Sequence, residues 1–207
     1  MTKLAEIALI FCVAMPRLGF ATEAAVHPCR TFALTDGKEE YVACLKYLEA
    51  KNQERFLDIN VGAGNWVNED LLSLICGQIK VVGNPKAINV GFLLAPLLDG
   101  AFAEAVYGAL GESTERNPKA FLTALQSTMK MYKKKKKDEM FYKYDFRYIS
   151  AQTDLEYVDQ PELEVAAYRK RKKILSGIRN SDLKEARDYS LKVLDDGIME
   201  LSQHVEN

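Results

Sequence analysis

Histidine is scarce, with two in 207 residues, His27 and His204, near opposite ends of the chain. The commonest general base is therefore in short supply. The Gly-x-Ser-x-Gly elbow that would expose a serine nucleophile is absent, and carboxylate neighbours such as Asp195 and Asp196 project in different directions from one helix. No catalytic residue is nominated, and none of these patterns asks for a cofactor. Cysteine numbers only four, and Cys29, Cys44 and Cys76 with two distant histidines lack zinc-ligand spacing, so no metal ligand is nominated either. An excess of one charge is also missing. The 28 Lys plus Arg stand against 29 Asp plus Glu, a net charge of −1, which excludes a globally basic nucleic-acid binder and an acidic disordered tail. Twelve glycines and six prolines are too few for a collagenous or low-complexity chain. The stretch Gly62-Ala63-Gly64-Asn65 lacks the third glycine and the lysine of a phosphate loop, so it reads as a plain loop. The single tryptophan, Trp66, follows it as a core anchor.

What is present begins with an address. Lys3 precedes an apolar run from Leu4 to Met15, interrupted only by Glu6 and followed by Pro16, Arg17 and the small-residue pattern Gly19-Phe20-Ala21. At about 12 residues the run is shorter than the roughly 20 needed to cross a bilayer, but it suits a signal peptide over residues 1–24, cut after Ala21 or Ala24. The competing reading is an amphipathic first helix, which Glu6 favours. Export implies a periplasmic or secreted protein with no transmembrane anchor once the leader is removed. In such a compartment Cys29 and Cys44 are expected to pair. Cys29 reads as part of a loop after His27-Pro28, and Cys44 as part of a helix starting near Asp36, so the bridge would tie the mature N-terminus to that helix. Cys76, beside Leu72, Ile75 and Ile79, reads as an inert core thiol.

The fold class expected is mainly α: short stacked helical hairpins, solenoid-like or an irregular bundle, over residues 25–132, and a C-terminal helix pair over 161–207. Asp36 and Glu39 resemble a capping box for a helix reaching Asn52. A second helix reads from Asn68, carrying Leu71, Leu72, Ile75 and Ile79 and closed at Gly83. The chain then echoes itself. Asn84-Pro85-Lys86-Ala87 returns 33 residues later as Asn117-Pro118-Lys119-Ala120, each followed by an apolar run. Asparagine at N-cap accepts from an orphan amide, and proline at N1 has no amide to satisfy. A weaker third copy would open at Asn52, and second helices would open near Asn68 and Gly100. Such a period suits hairpins that must lean on one another to bury an apolar face. In the C-terminal pair, Leu191, Leu194, Ile198, Leu201 and Val205 form one stripe, and Leu163, Ala167, Ile174 and Ile178 its expected partner face.

Between the two regions, residues 133–160 read as a basic and aromatic arm. Lys133, Lys134, Lys135, Lys136 and Lys137 are followed by Tyr142, Tyr144, Phe146 and Tyr148, which alternate with charged residues at the period of a strand. Leu155 and Tyr157 would complete a small β-hairpin near 141–158, although Phe141, Tyr144 and Tyr148 also fit a helical face. The function expected is binding of another macromolecule, an as yet unidentified protein partner, without chemistry, in the manner of an inhibitor, with the four aromatics as contact residues. A first alternative is attachment to an anionic envelope component through Lys133 to Lys137 and through Arg169, Lys170, Arg171, Lys172 and Lys173. Export makes nucleic acid the least favoured polyanion. Against that alternative stand Asp154, Glu156, Asp159, Glu162 and Glu164, which lie between the basic stretches and can pair with them. The second alternative is an enzyme whose site assembles from scattered residues.

Overall fold

The computed structural model describes residues 27–57, 67–134, 149–153 and 160–205. The leader, the loop at 62–65 with Trp66, Lys135 to Lys137, Tyr142, Tyr144, Phe146 and Tyr148, and the acidic run from Asp154 to Asp159 lie outside them, and with them nearly all of the expected β-hairpin. The described residues form α-helices joined by short turns, and no strand occurs among them.

The first helix, α1 (Pro28–Thr35), corrects the expectation that Cys29 lies in a loop. Eight residues are too few for a helix to persist alone, and three local devices hold this one. His27 is its N-cap, accepting the Cys29 amide on Nδ1 at 3.2 Å, and Pro28 occupies the first turn. Asp36, in the left-handed conformation (φ 50°), closes it with its amide on the Phe32 carbonyl. The third device is covalent. The Cys29–Cys44 disulfide joins α1 to α2 (Lys38–Leu57), with both cysteines buried. Asp36 thus ends one helix rather than opening the next, and α2 runs past Asn52 to Leu57.

Burial against the edge of the Tyr47 ring, 4.3 Å between centroids, lowers the pKa of His27 from 6.5 to about 4. Between those two values the unfolded chain takes up a proton that the folded chain refuses, so stability is complete above about pH 6.5 and is lost as the pH falls towards 4. Protonation would also remove the acceptor that caps α1. His27→Asn keeps a capping oxygen that does not titrate in this range. Its melting temperature should therefore fall less than that of the wild type between pH 7 and pH 4.5, by roughly 2–4 °C for each kcal/mol of stability that proton uptake by the unfolded histidine removes.

Asn68 caps α3 (Glu69–Gly77) by accepting the Leu71 amide, and a π-helical turn over Gln78–Val82 carries that helix to Gly83. Gly83 adopts φ 64°, a left-handed exit that glycine makes without strain. Then come α4 (Pro85–Leu94), α5 (Gly100–Arg116), α6 (Pro118–Lys134), α7 (Pro161–Ser176) and α8 (Lys184–Val205). The even-numbered helices pack in succession as one layer, α2 on α4, α4 on α6 and α6 on α8. The odd-numbered helices make a second layer in the same way, α1 on α3, α3 on α5 and α5 on α7. Of the two architectures left open by the sequence, this is the stack of hairpins.

The echoed Asn-Pro openings are structural equivalents in that stack. Asn84 Oδ1 accepts from the amides of Lys86 (2.9 Å) and Ala87 (3.5 Å), and Asn117 Oδ1 from that of Ala120 (3.2 Å). Each side chain also reaches back to the preceding turn. Asn84 Nδ2 donates to Asp36 Oδ1 (3.2 Å), and Asn117 Nδ2 donates to the Gly83 carbonyl (3.0 Å). Asparagine is thus required for both of its polar atoms, one for its own helix and one for the neighbouring unit. Ile88 and Phe121, the fourth residues after the two caps, are both fully buried. The third copy is absent: Asn52 sits inside α2, where its buried Nδ2 donates to the carbonyls of Leu48 (2.9 Å) and Leu93 (2.8 Å), and so fastens α2 to α4.

The C-terminal pair packs as a hairpin, with Asn180 capping its second arm. The most buried side of α7 differs from the expected partner face. Val165, Tyr168, Arg171 and Leu175 are buried, whereas Leu163 is half exposed and Ala167, Ile174 and Ile178 are only partly covered. One of the buried residues is charged, so hydrophobicity alone did not select that side. Cys76 packs against the core but is only partly buried; it lies outside the disulfide, with its Sγ 3.6 Å from the Ala105 carbonyl.

Candidate functional site

The even layer carries an open cleft whose floor is α4. Most of α4 is enclosed, and its outward side is the stripe Lys86, Asn89 and Leu93 at helical spacing. One wall is α2, with Tyr41 at one end and Glu49 and Gln53 at the other. The other wall is α6, where Ala120, Thr123, Ala124 and Ser127 face the cleft. These small side chains keep it open, while Phe121, Leu122 and Leu125 of the same helix fill the core behind them. The cleft has two lobes of about 440 Å³ and 320 Å³ that meet at Asn89 and Ser127, each within the size range of ligand-binding clefts.

Its chemistry is polar and uneven. Asn89 Nδ2 donates to the Tyr41 hydroxyl (2.9 Å), and the hydroxyls of Thr123 and Ser127 donate to the carbonyls of Lys119 (2.8 Å) and Thr123 (2.9 Å) on their own helix. The larger lobe includes Lys86 and Lys119 and, among the described residues, no carboxylate. Lys86 Nζ donates to the Asp36 carbonyl (2.7 Å) and stands 3.2 Å from Asp36 Oδ1. Lys119 is exposed and has no ion-pair partner among the described residues. The smaller lobe has Glu49 at its rim and Leu93 and Met131 as its apolar lining.

The residues singled out from sequence fall elsewhere. Cys29 and Cys44 form the expected bridge. Lys133 is exposed and ion-paired with Glu185, whose carboxylate is held below the usual range chiefly by the hydrogen bond from that lysine. Of the second basic run, Lys172 pairs with Asp195 and Lys170 with Glu115. Arg171 is 2% exposed and cannot meet an external polyanion. Its Nε approaches Glu115 Oε1 at 3.3 Å, and its Nη1 donates to the carbonyls of Ser150 (3.2 Å) and Gln152 (2.7 Å). Burial pushes the Glu115 pKa up, but the hydrogen bond from Lys170 and the charge of Arg171 outweigh it and leave the carboxyl below its usual range. The segment 149–153 lies so close to Gly111 that an added Cβ there would come within 2.0 Å of the Gln152 carbonyl oxygen. Arg171 therefore works as an internal clamp that ties this segment to α5 and α7.

Sequence reasoning missed the cleft. Its signal was available: in the α6 copy of the repeat, small and hydroxylated residues recur at positions 120, 123, 124 and 127 on one face. Among the described residues no helix is long and apolar enough to cross a membrane, and no three His, Cys, Asp or Glu side chains gather as a metal cluster. No protein-family model, curated protein or solved structure matches the chain.

Proposed function

We propose that this chain is an exported, helical binding protein that holds a partner protein in the cleft over α4 and performs no chemistry of its own. The observation that carries this reading is the cleft itself, which runs across three successive helices of the even layer and offers hydrogen-bonding groups along its length. Stacked hairpins suit extended partners because each unit adds surface to the last. Export is supported by the leader-like start and by the Cys29–Cys44 bridge, since disulfides persist in oxidising compartments. Charge-driven attachment receives less support, because Lys133, Lys170, Arg171 and Lys172 are already engaged inside the molecule.

Ser127 is exposed and lies where the two lobes meet, so Ser127→Trp should block both without disturbing the core. Capture from an envelope extract with wild-type protein and this variant, followed by mass spectrometry, tests the reading. A partner held by the cleft should be recovered about tenfold less with Ser127→Trp, at equal melting temperature. Equal recovery by the two proteins would refute the assignment. Recovery lost instead on Tyr144→Ala with Phe146→Ala would move the contact to the aromatic arm.

A further inference from the structure

We infer that the occupant of this cleft is an extended acidic segment of the partner, carrying an apolar side chain and, about three residues away, a carboxylate. The inference rests on the cleft being the binding surface and adds the chemistry of what it reads.

The cleft has a polarity. Helices α2, α4 and α6 are parallel: Tyr41, early in α2, meets Asn89, while Asn52, late in α2, meets Leu93 and accepts from the Tyr132 hydroxyl late in α6. Their N-terminal ends therefore lie together, and the helix dipoles favour negative charge there, an effect that Asp36, Glu39 and Glu40 offset on the α2 side and not on the α6 side. Lys86 and Lys119 add two ammonium groups there, the first shared with Asp36 and the second without an ion-pair partner among the described residues, none of which brings a carboxylate to the lining. The opposite end carries Glu49 and the apolar pair Leu93 and Met131. A chain bound along this axis is favoured with its negative group at the lysine end and its apolar group at the other.

The floor suits a peptide backbone. With Asn89 Nδ2 given to the Tyr41 oxygen, Asn89 Oδ1 remains an acceptor and the Tyr41 O–H a donor, matching the N–H and C=O of one peptide unit. On the α6 wall the hydroxyl protons of Thr123 and Ser127 are committed to their own helix, so their oxygens present acceptors to peptide amides. Along α4 the seven steps from Lys86 to Leu93 rise roughly 10 Å, the length of about three extended residues. That distance sets the spacing between apolar residue and carboxylate.

The test is selection of a random dodecapeptide phage library on the purified, disulfide-bonded protein, followed by fluorescence anisotropy with the most enriched peptide, fluorescein-labelled. The expected peptides carry the apolar residue and the acid, or the free carboxyl end, at that spacing. Lys119→Glu should weaken the selected peptide at least about tenfold and Lys119→Arg should retain it. Replacing the peptide's acid by its amide should weaken binding less than Lys119→Glu, which adds repulsion, and should make binding insensitive to the charge at position 119. Peptides without acid preference that are nevertheless lost on Ser127→Trp would overturn the acidic reading and leave the cleft standing. Binding unchanged by Ser127→Trp would overturn both. Selection of no peptide, or a dimer in sedimentation that Ser127→Trp abolishes, would overturn the peptide in favour of no extended ligand or of a second copy.

Discussion

Replacing Arg171 by alanine is expected to cost about 3–5 kcal/mol, the largest effect of any single substitution considered, because it strands a partly buried carboxylate and two carbonyls at once. Glu115 would lose the guanidinium that helps hold it ionised, and the carbonyls of Ser150 and Gln152 would lose their donor. Urea denaturation monitored by circular dichroism should show the loss as a lower midpoint, and melting should fall by about 10 °C. Lys170 makes the informative comparison. It reaches the same carboxylate from a position 67% exposed, so Lys170→Ala should change stability by less than about 1 kcal/mol. The lowered Glu115 pKa gives the contrast a pH signature. Its contribution is complete above the ordinary carboxylate pKa of 4.5 and is lost as the pH falls through the lower folded value, so the gap between wild type and Arg171→Ala should narrow in acid to the part owed to the two carbonyls. Equal losses for the two substitutions at neutral pH would show that the clamp contributes no more than a surface pair.

The second large effect concerns the N-terminal staple. Removing both sulfurs with Cys29→Ala and Cys44→Ala releases a closed loop of 15 residues, a cost of about 3 kcal/mol if chain entropy governs. The loss should concentrate in α1, which is too short to stand alone, so hydrogen exchange of its amides should accelerate more than that of α4. Reducing agent should reproduce the effect in the wild type and in Cys76→Ala, and leave the double variant unchanged. Protection of α1 in the double variant would show that Phe32, packed 5.4 Å from the Tyr41 ring, suffices to dock it.

These effects also mark what the chain disclosed before folding. Asn84-Pro85 and Asn117-Pro118 were legible as helix openings because capping is a local event, decided within three residues. Their second role, the reach of Nδ2 to the turn before, depends on which units stack and has no local sign. Arg171 was hidden inside a run of five cations, and a charge run reads as solvated unless the opposing Glu115, 56 residues earlier, is known to face it. Helix α1 was missed for the opposite reason: eight residues held by a histidine cap and a disulfide leave little periodicity to detect. Asn52 has the residue type of a cap but spends its amide across helices. The cleft was partly legible, since small residues on one face of α6 predict a close approach or an opening, and only the placement of α2 decides between them.

The back-reaching asparagines have a consequence for how this molecule can be divided. A cut between Arg116 and Asn117 would remove the amide that closes α5 on the Ser113 carbonyl and, at the same time, the strut that holds the Gly83 turn. The N-terminal fragment would keep no finished end. The stack resembles a zip fastener whose teeth each belong to two rows, so it is best treated, expressed and trimmed as one inseparable length.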